Sequence, residues 1–455
     1  MSNRKAISVL AALLACFIFT PATEAAIQTL TGKTVWSKTV TVAEPVVVPA
    51  GAELLIEAGT TVRITAPDAQ ITVSGRLLVK GSAAHPVRFD SPPGWPGITL
   101  AESSDESLFE QVQFAGAETA ISSLASHFIV RSSAFRNCGT AIKLLRESPI
   151  QVEKSRFIDN KIGIDNEMRS EAVLKDNHFS GHTLTAVLAS HNCKGAITGN
   201  HFENNAQAIG LLQPYPDLVA RNTFVNNRVG IYCNQSKNTP KIQENRFEKN
   251  DTAIVNFSFA FPAIEDNIFV NNDMAIRNDQ YGSALVRHNL FQENKTALYN
   301  NRKSNPVIEK NRIVKNARAL FCDYSSYPQV RNNEFIDNPM AVELGIYQSA
   351  DWETRSGSKV LMQKEAEARN SKNAMLAQVP TRFTDIVDVS GNWWGSMTAK
   401  LQTEKPGVNL PIFFDRQDKE RVVYDGFGPD SYRLDQVVFQ PCLLQPVADA
   451  GPRKK

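Results

Sequence analysis

Apolar residues recur along this chain at an interval of about 22 residues. An aromatic or aliphatic anchor stands at Phe114, Phe135, Phe157, Phe179, Phe202, Phe224, Phe247, Phe269, Phe291, Ile313 and Phe335, at successive intervals of 21, 22, 22, 23, 22, 23, 22, 22, 22 and 22. Five residues before each anchor, from Val130 to Val330, lies a second apolar column; seven after it, from Ile142 through Ala186 to Val342, lies a third. A fixed period of this length marks a repeat architecture. Three apolar columns per period describe a coil of three short strands, each sending side chains inward. The 3.6-residue period of an amphipathic helix is missing, and apolar stretches are short runs between Asn, Gly and Pro, which excludes a helical solenoid.

Asparagine marks the corners. Two before the anchor stand Asn177, Asn200, Asn222, Asn245, Asn267, Asn289, Asn311 and Asn333, following Ser133 and Ser155; three after it stand Asn160, Asn205, Asn227, Asn250, Asn272, Asn294, Asn316 and Asn338. A third set, nine after the anchor, holds Asn256, Asn278 and Asn300. Asn tolerates left-handed backbone and bonds its own turn, and stacked on its equivalents it forms amide ladders. At roughly 4.8 Å per coil the nine intervals from Phe135 to Phe335 extend about 45 Å.

Upstream, residues 51–64, 71–81 and 86–91 alternate like half-buried strands and close on Gly94-Trp95-Pro96-Gly97-Ile98. The sequence therefore divides into a leader over 1–26, a cap over the open end at 27–50, coils over 51–345, an insertion over 346–386, a last coil with its extension over 387–447, and a solvated tail over 448–455. Residues 358–377, rich in Ala, Glu, Lys, Met and Leu without Gly or Pro, predict an inserted helix that offers a docking element for a protein partner.

The Asn-x-Phe-x-x-Asn-x-x-Gly/Ala-Ile pattern, as at Asn222 to Ile231, resembles the right-handed β-helix repeats of pectate lyases, alginate epimerases and the accessory proteins of nitrous oxide reductase maturation. The block through Trp95-Pro96-Gly97-Ile98 and the late Gly391-Asn392-Trp393-Trp394-Gly395 resemble first and last coils of bacterial surface and periplasmic β-helix proteins. The resemblance covers roughly residues 45–445. It implies an all-β fold, a single-stranded right-handed parallel β-helix of about 22 residues per coil with one inserted α-helix near the C-terminal end. It does not imply a chemistry, because one scaffold hosts many. The Asp-Pro-His-Asp of alginate epimerases and the Gly-His-Gly of polygalacturonases are missing, with Gly181-His182-Thr183 the nearest approach.

Composition adds the compartment. Arg4-Lys5, the apolar run Ala6 to Thr20 and the small residues before Ala25-Ala26 read as a secretory leader, with a lipid-modified Cys16 as a rival reading. The protein is expected to be exported to the periplasm, cell surface or medium, with no transmembrane segment once the leader is cleaved. The net charge of +2 gives no reason to expect a nucleic-acid partner. Five cysteines remain in the mature chain. Cys233 and Cys322 share a column four coils apart, about 19 Å, beyond the reach of a disulfide; buried free thiols are expected.

Three sets of side chains are candidates for chemistry. His178 and His201 precede their anchors on neighbouring coils with His182 close by, a possible transition-metal site, although His182 occupies an Asn-ladder position and reads as a corner residue; no resident metal or cofactor is expected, and calcium is not indicated. Asp279 and Asp323 share one column two coils apart, about 9.6 Å, around the upper limit of roughly 6.5–9.5 Å for the carboxylates of inverting glycosidases. Phe257, Phe259, Tyr281 and Tyr324, with Tyr215 and Tyr327 at similar depth, form an aromatic strip suited to stacking on sugar rings. The reading these support is an exported, non-catalytic β-helix engaging polysaccharide or another envelope component. The alternatives are a polysaccharide lyase, epimerase or hydrolase, and a periplasmic metal or maturation accessory.

Overall fold

The computed structural model describes residues 27–453 apart from 214–217, 236–238, 356–382, 406 and 425–427. The leader, Cys16, Tyr215, the expected helix at 358–377 and the final two lysines lie outside the described residues.

Three parallel sheets run the length of the solenoid. Sheet A has 16 strands, from Gln28–Thr29 to Phe413–Phe414; sheet B has 14, from Lys33–Trp36 to Gln329–Arg331; sheet C has 14, from Thr39–Val42 to Glu334–Ile336. Each regular coil contributes one strand to each sheet, so neighbours in a sheet are successive coils of the chain, until Phe413–Phe414 pairs with Met340–Leu344 across the insertion. The stretch 27–50 supplies strands to all three sheets and forms the first coil itself. Handedness follows from the rule that a parallel crossover returns to its sheet right-handed.

The core is a set of vertical stacks. Phe114, Phe135, Phe157, Phe179, Phe202, Phe224 and Phe247 lie nearly parallel, with successive ring centroids 4.6–5.2 Å apart, and Phe269 and Phe291 continue the pile. Where the chain inserts a residue, the stack survives and the loop absorbs it. In the 23-residue interval after Phe179, the residue in register with Ile164 and Ile209 is Val187, not the Ala186 expected from counting, and Leu184 is turned out.

The amide ladders are continuous. Each Asn of the column from Asn177 to Asn333 donates from Nδ2 to the Oδ1 of the next at 3.0 Å, and that oxygen also accepts the backbone N–H of the residue below at 2.9–3.0 Å. Residues just before these columns hold positive φ, for example Asp176, Arg221 and Glu244, so the corner amides sit beside left-handed backbone. The third ladder, Asn256 to Asn278 to Asn300, ends on the Sγ of Cys322 at 3.9 Å. The five cysteines among the described residues are all free and buried.

The C-terminal end is closed by residues distant in sequence. Asn392 takes the next rung above Asn333, 59 positions on, and Trp394 stacks on Phe335 at 4.7 Å. Beyond them the chain doubles back. Gly451 donates to the Lys310 carbonyl, Asp449 pairs with Lys310 at 2.8 Å, and Arg453 grips Asp266 through Nε and Nη2. The tail expected to be solvated is thus strapped, as far as Arg453, to the corner between sheets B and C, because the fold brings Asp266 and Glu265 to meet it. Short helices occupy Ala350–Arg355 and Thr398–Thr403. Among the described residues no helix is long and apolar enough to cross a membrane.

Candidate functional site

Sheet C turns two rows of side chains outward. In one row Arg156, His178 and His201 follow one another on neighbouring coils. Glu203 lies two residues beyond His201, and the period-2 pleat returns it to the same face. The two imidazoles stack with centroids 5.2 Å apart and planes 11° from parallel. Nε2 of His178 lies 3.4 Å from Glu203 Oε1, and Nε2 of His201 lies 3.4 Å from Glu203 Oε2. One donor atom from each of the three residues falls within 4.8 Å of the others, and all three side chains are half-buried.

Burial lowers the pKa of His178; Glu203 raises it, and the His201 and Arg156 charges add to the lowering. A neutral imidazole lone pair is what metal ligation requires. Two imidazoles and one carboxylate with solvent on the outer side suit copper, zinc or nickel; calcium prefers an all-oxygen shell.

His182 does not join them. It is 1% exposed, its Nδ1–H donates to Asn205 Oδ1 at 2.8 Å, and its Nε2 accepts from Asn160 Nδ2 at 3.4 Å. It is a rung of the ladder, and burial drops its pKa to about 4. The convergence expected of three histidines is therefore one of two histidines and Glu203. The signal for Glu203 was its i, i+2 spacing from His201.

The two aspartates are placed differently from what catalysis needs. They do share a column, with Asn301 between them. Asp279 has no exposed surface: Arg277 Nη2 lies 2.6 Å from it, Arg302 3.8 Å, and Asn301 Nδ2 donates to it at 3.4 Å. Asp323 is also buried and accepts the backbone N–H of Tyr324 at 3.0 Å and of Tyr347 at 2.9 Å. Burial pushes its carboxyl up to about 6, against the pull of those two N–H groups. Asp279, with no exposed surface, serves as the counter-ion of Arg277, and Asp323, 8% exposed, accepts two backbone N–H groups at its corner.

The aromatic residues occur as stacked pairs. Phe257 faces Tyr232 at 6.2 Å, Phe259 stacks on Tyr281 at 4.8 Å, and Tyr324 stacks on Tyr347 at 4.4 Å; all six are half-buried. A further pair, Tyr299 and Phe321, stacks at 4.8 Å on the outer face of sheet A, with Arg277 and Arg318 lying over their rings. Counting along one column misses this pair, because its members sit two residues earlier on the strand. Beyond the strip opens a cavity of about 670 Å³ lined by Phe261, Ser283, Asn305, Tyr327, Gln329 and Thr384 among others.

Residues 93–259 match the family model described as periplasmic copper-binding protein (NosD), and residues 230–351 match the one described as right handed beta helix region. No curated protein matches the chain. Among solved structures the chain is similar to a tailspike protein of E. coli bacteriophage HK620, with 10% identity, a TM-score of 0.43, and 70% of this chain and 69% of that one covered. It is also similar to the periplasmic alginate epimerase AlgG, with 13% identity, a TM-score of 0.31, and coverage of 67% and 75%. These likenesses are of fold and carry nothing about activity.

Proposed function

The chain belongs to the right-handed β-helix repeat family, and from that premise we propose that it is an exported metal-binding protein holding a divalent transition-metal ion, copper foremost, at His178, His201 and Glu203. The observation that carries this is the convergence of both Nε2 atoms on one carboxylate at 3.4 Å. The match to a family described as copper-binding spans these three residues, and its periplasmic description agrees with the Arg4-Lys5 leader. His178, His201 and Glu203 would hold the ion, and its charge would neutralise the carboxylate. Three ligands on an exposed sheet face make a site suited to exchange.

Calorimetric titration of the mature protein with copper(II) or zinc(II) near neutral pH is expected to show a single uptake event that His178→Ala/His201→Ala abolishes. Glu203→Gln is expected to weaken it about tenfold. Uptake is expected to fade at acid pH, below the ordinary imidazole value of about 6.5 because burial holds His178 lower, since a protonated ring has no lone pair to give. Unchanged uptake in the double variant, or none in the parent protein, would remove the site from the account.

A second reading rests on a different face. The aromatic pairs Phe259–Tyr281 and Tyr324–Tyr347, beside carboxamide and hydroxyl groups lining the neighbouring cavity, favour stacking on the C–H faces of sugars in an envelope polysaccharide. On a glycan array, Tyr281→Ala/Tyr324→Ala is expected to lose the signal of the parent protein; retention of that signal would take the strip out of the reading.

A further inference from the structure

Nearer the N-terminal end, the outer face of sheet C departs from the pattern of the rest of the surface. Arg88, Gln113, Ala134 and Arg156 succeed one another in one outward row, and Ala115 and Arg136 are register partners in the adjacent row. The two alanines leave a depression of about 570 Å³, rimmed by Arg88, Arg136 and Arg156 and bordered by Thr61, Asp90 and Gln113.

Arginines elsewhere on this sheet and its neighbour meet carboxylates, as Arg246 does with Glu248, Arg131 with Glu153 and Arg287 with Glu265. Arg136 and Arg156 are exposed, and neither forms an ion pair with any described residue. Arg88 donates to a neutral partner, Gln113 Oε1, at 3.2 Å. Like charges on neighbouring strands repel, and none of the three guanidinium groups around the hollow forms an ion pair among the described residues, the rim carboxylate Asp90 being paired with Arg63.

We propose that this depression binds the carboxylate of an acidic glycan chain, with Arg136 and Arg156 forming the clamp and Arg88 a second contact two coils from the Ala134 floor. Guanidinium presents a planar fork that matches a carboxylate through two parallel hydrogen bonds. The alanine floor gives a ring room to lie against the sheet. Thr61 and Gln113 both donate and accept, which suits hydroxyl groups. Asp90 only accepts, so it favours a ligand bearing O–H donors and works against a densely charged chain such as polyphosphate. Arg63 lies 3.7 Å from Asp90 and faces it as a counter-charge. The inference depends on neither the histidine site nor the aromatic strip.

The test uses the mature protein and three probes: an oligogalacturonate, its methyl-esterified form, and inorganic polyphosphate. Binding of the free-acid oligosaccharide is expected, and it should weaken as salt is raised. Arg136→Gln/Arg156→Gln is expected to weaken it at least tenfold, while thermal melting confirms that the exposed substitutions leave the fold intact. No binding of the free acid, equal binding of the methyl ester, tighter binding of polyphosphate, or an unchanged affinity in the double variant would each overturn the proposal.

Discussion

Replacing Asn245 with alanine is expected to destabilise the centre of the solenoid by about 3–5 kcal/mol, several times the effect of an ordinary surface substitution. Asn245 is buried, and its Oδ1 accepts both the backbone N–H and the Nδ2 of Asn222, at 2.9 and 3.0 Å. Its own Nδ2 donates to the Val219 carbonyl at 2.9 Å and to Asn267 Oδ1 at 3.0 Å. Alanine removes all four bonds at once and orphans groups on the coils above and below, each costing about 1–3 kcal/mol when no water can enter. Hydrogen exchange is the appropriate measurement, because damage in a repeat protein is local: protection should fall at residues 219–222 and 267 and persist near the ends. Asn256→Ala provides the contrast. Asn256 makes one side-chain bond, to Asn278 at 2.8 Å, and cysteine already stands in its column at Cys233 and Cys322, so the smaller residue should cost about 1–2 kcal/mol. Equal losses at the two positions would show that the ladder contributes no more than its space-filling.

Phe224→Ala should have an effect of similar size by a different route. The ring has no exposed surface and lies between Phe202 at 5.0 Å and Phe247 at 4.6 Å. Truncation loses transfer free energy and leaves a cavity that stacked coils, pinned by their hydrogen bonds, cannot close, for about 3–5 kcal/mol. Phe224→Ile should cost far less, about 1–2 kcal/mol, because Ile313 fills the same column in register with Phe291 and Phe335. Urea unfolding of the three proteins side by side tests the order; an isoleucine variant as weak as the alanine variant would mean that ring stacking, rather than volume, holds the column.

The scaffold was legible because its determinants repeat. Phe157 and Asn177 are informative as members of columns, and a single error in counting, as at Ala186 against Val187, does not disturb the stack. What escaped was whatever did not repeat. Asn392 belongs to the ladder, yet no interval near 22 leads to it from Asn333. Arg453 read as a solvated tail because nothing adjacent in sequence tells it that Asp266 will be within reach. The candidate sites failed in an instructive way. Reading down columns put His182 beside His178 and His201, whereas the pleat substitutes Glu203; reading Asp279 and Asp323 as one column overlooked that Arg277, two residues before Asp279, faces it and lets it be buried as an ion pair. Chemistry here depends on neighbours across three coils and along one strand together, and only the first of these has a period.

The rung supplied by Asn392 also bears on the order in which the molecule is built. Every regular coil closes on a partner some 22 residues away, so once a few coils exist each addition is a short search onto a ready template. The last closure must instead bring Asn392 to Asn333 across 59 positions, which by the logarithmic growth of closure entropy costs about 0.9 kcal/mol more than a regular turn. Trp394 on Phe335 offsets that only when the coil beneath is complete. Assembly should therefore run along the axis and finish at this end, with Arg453 fastening on Asp266 after its own coils are in place. During synthesis, where the N-terminal portion emerges first, that order coincides with the direction of translation.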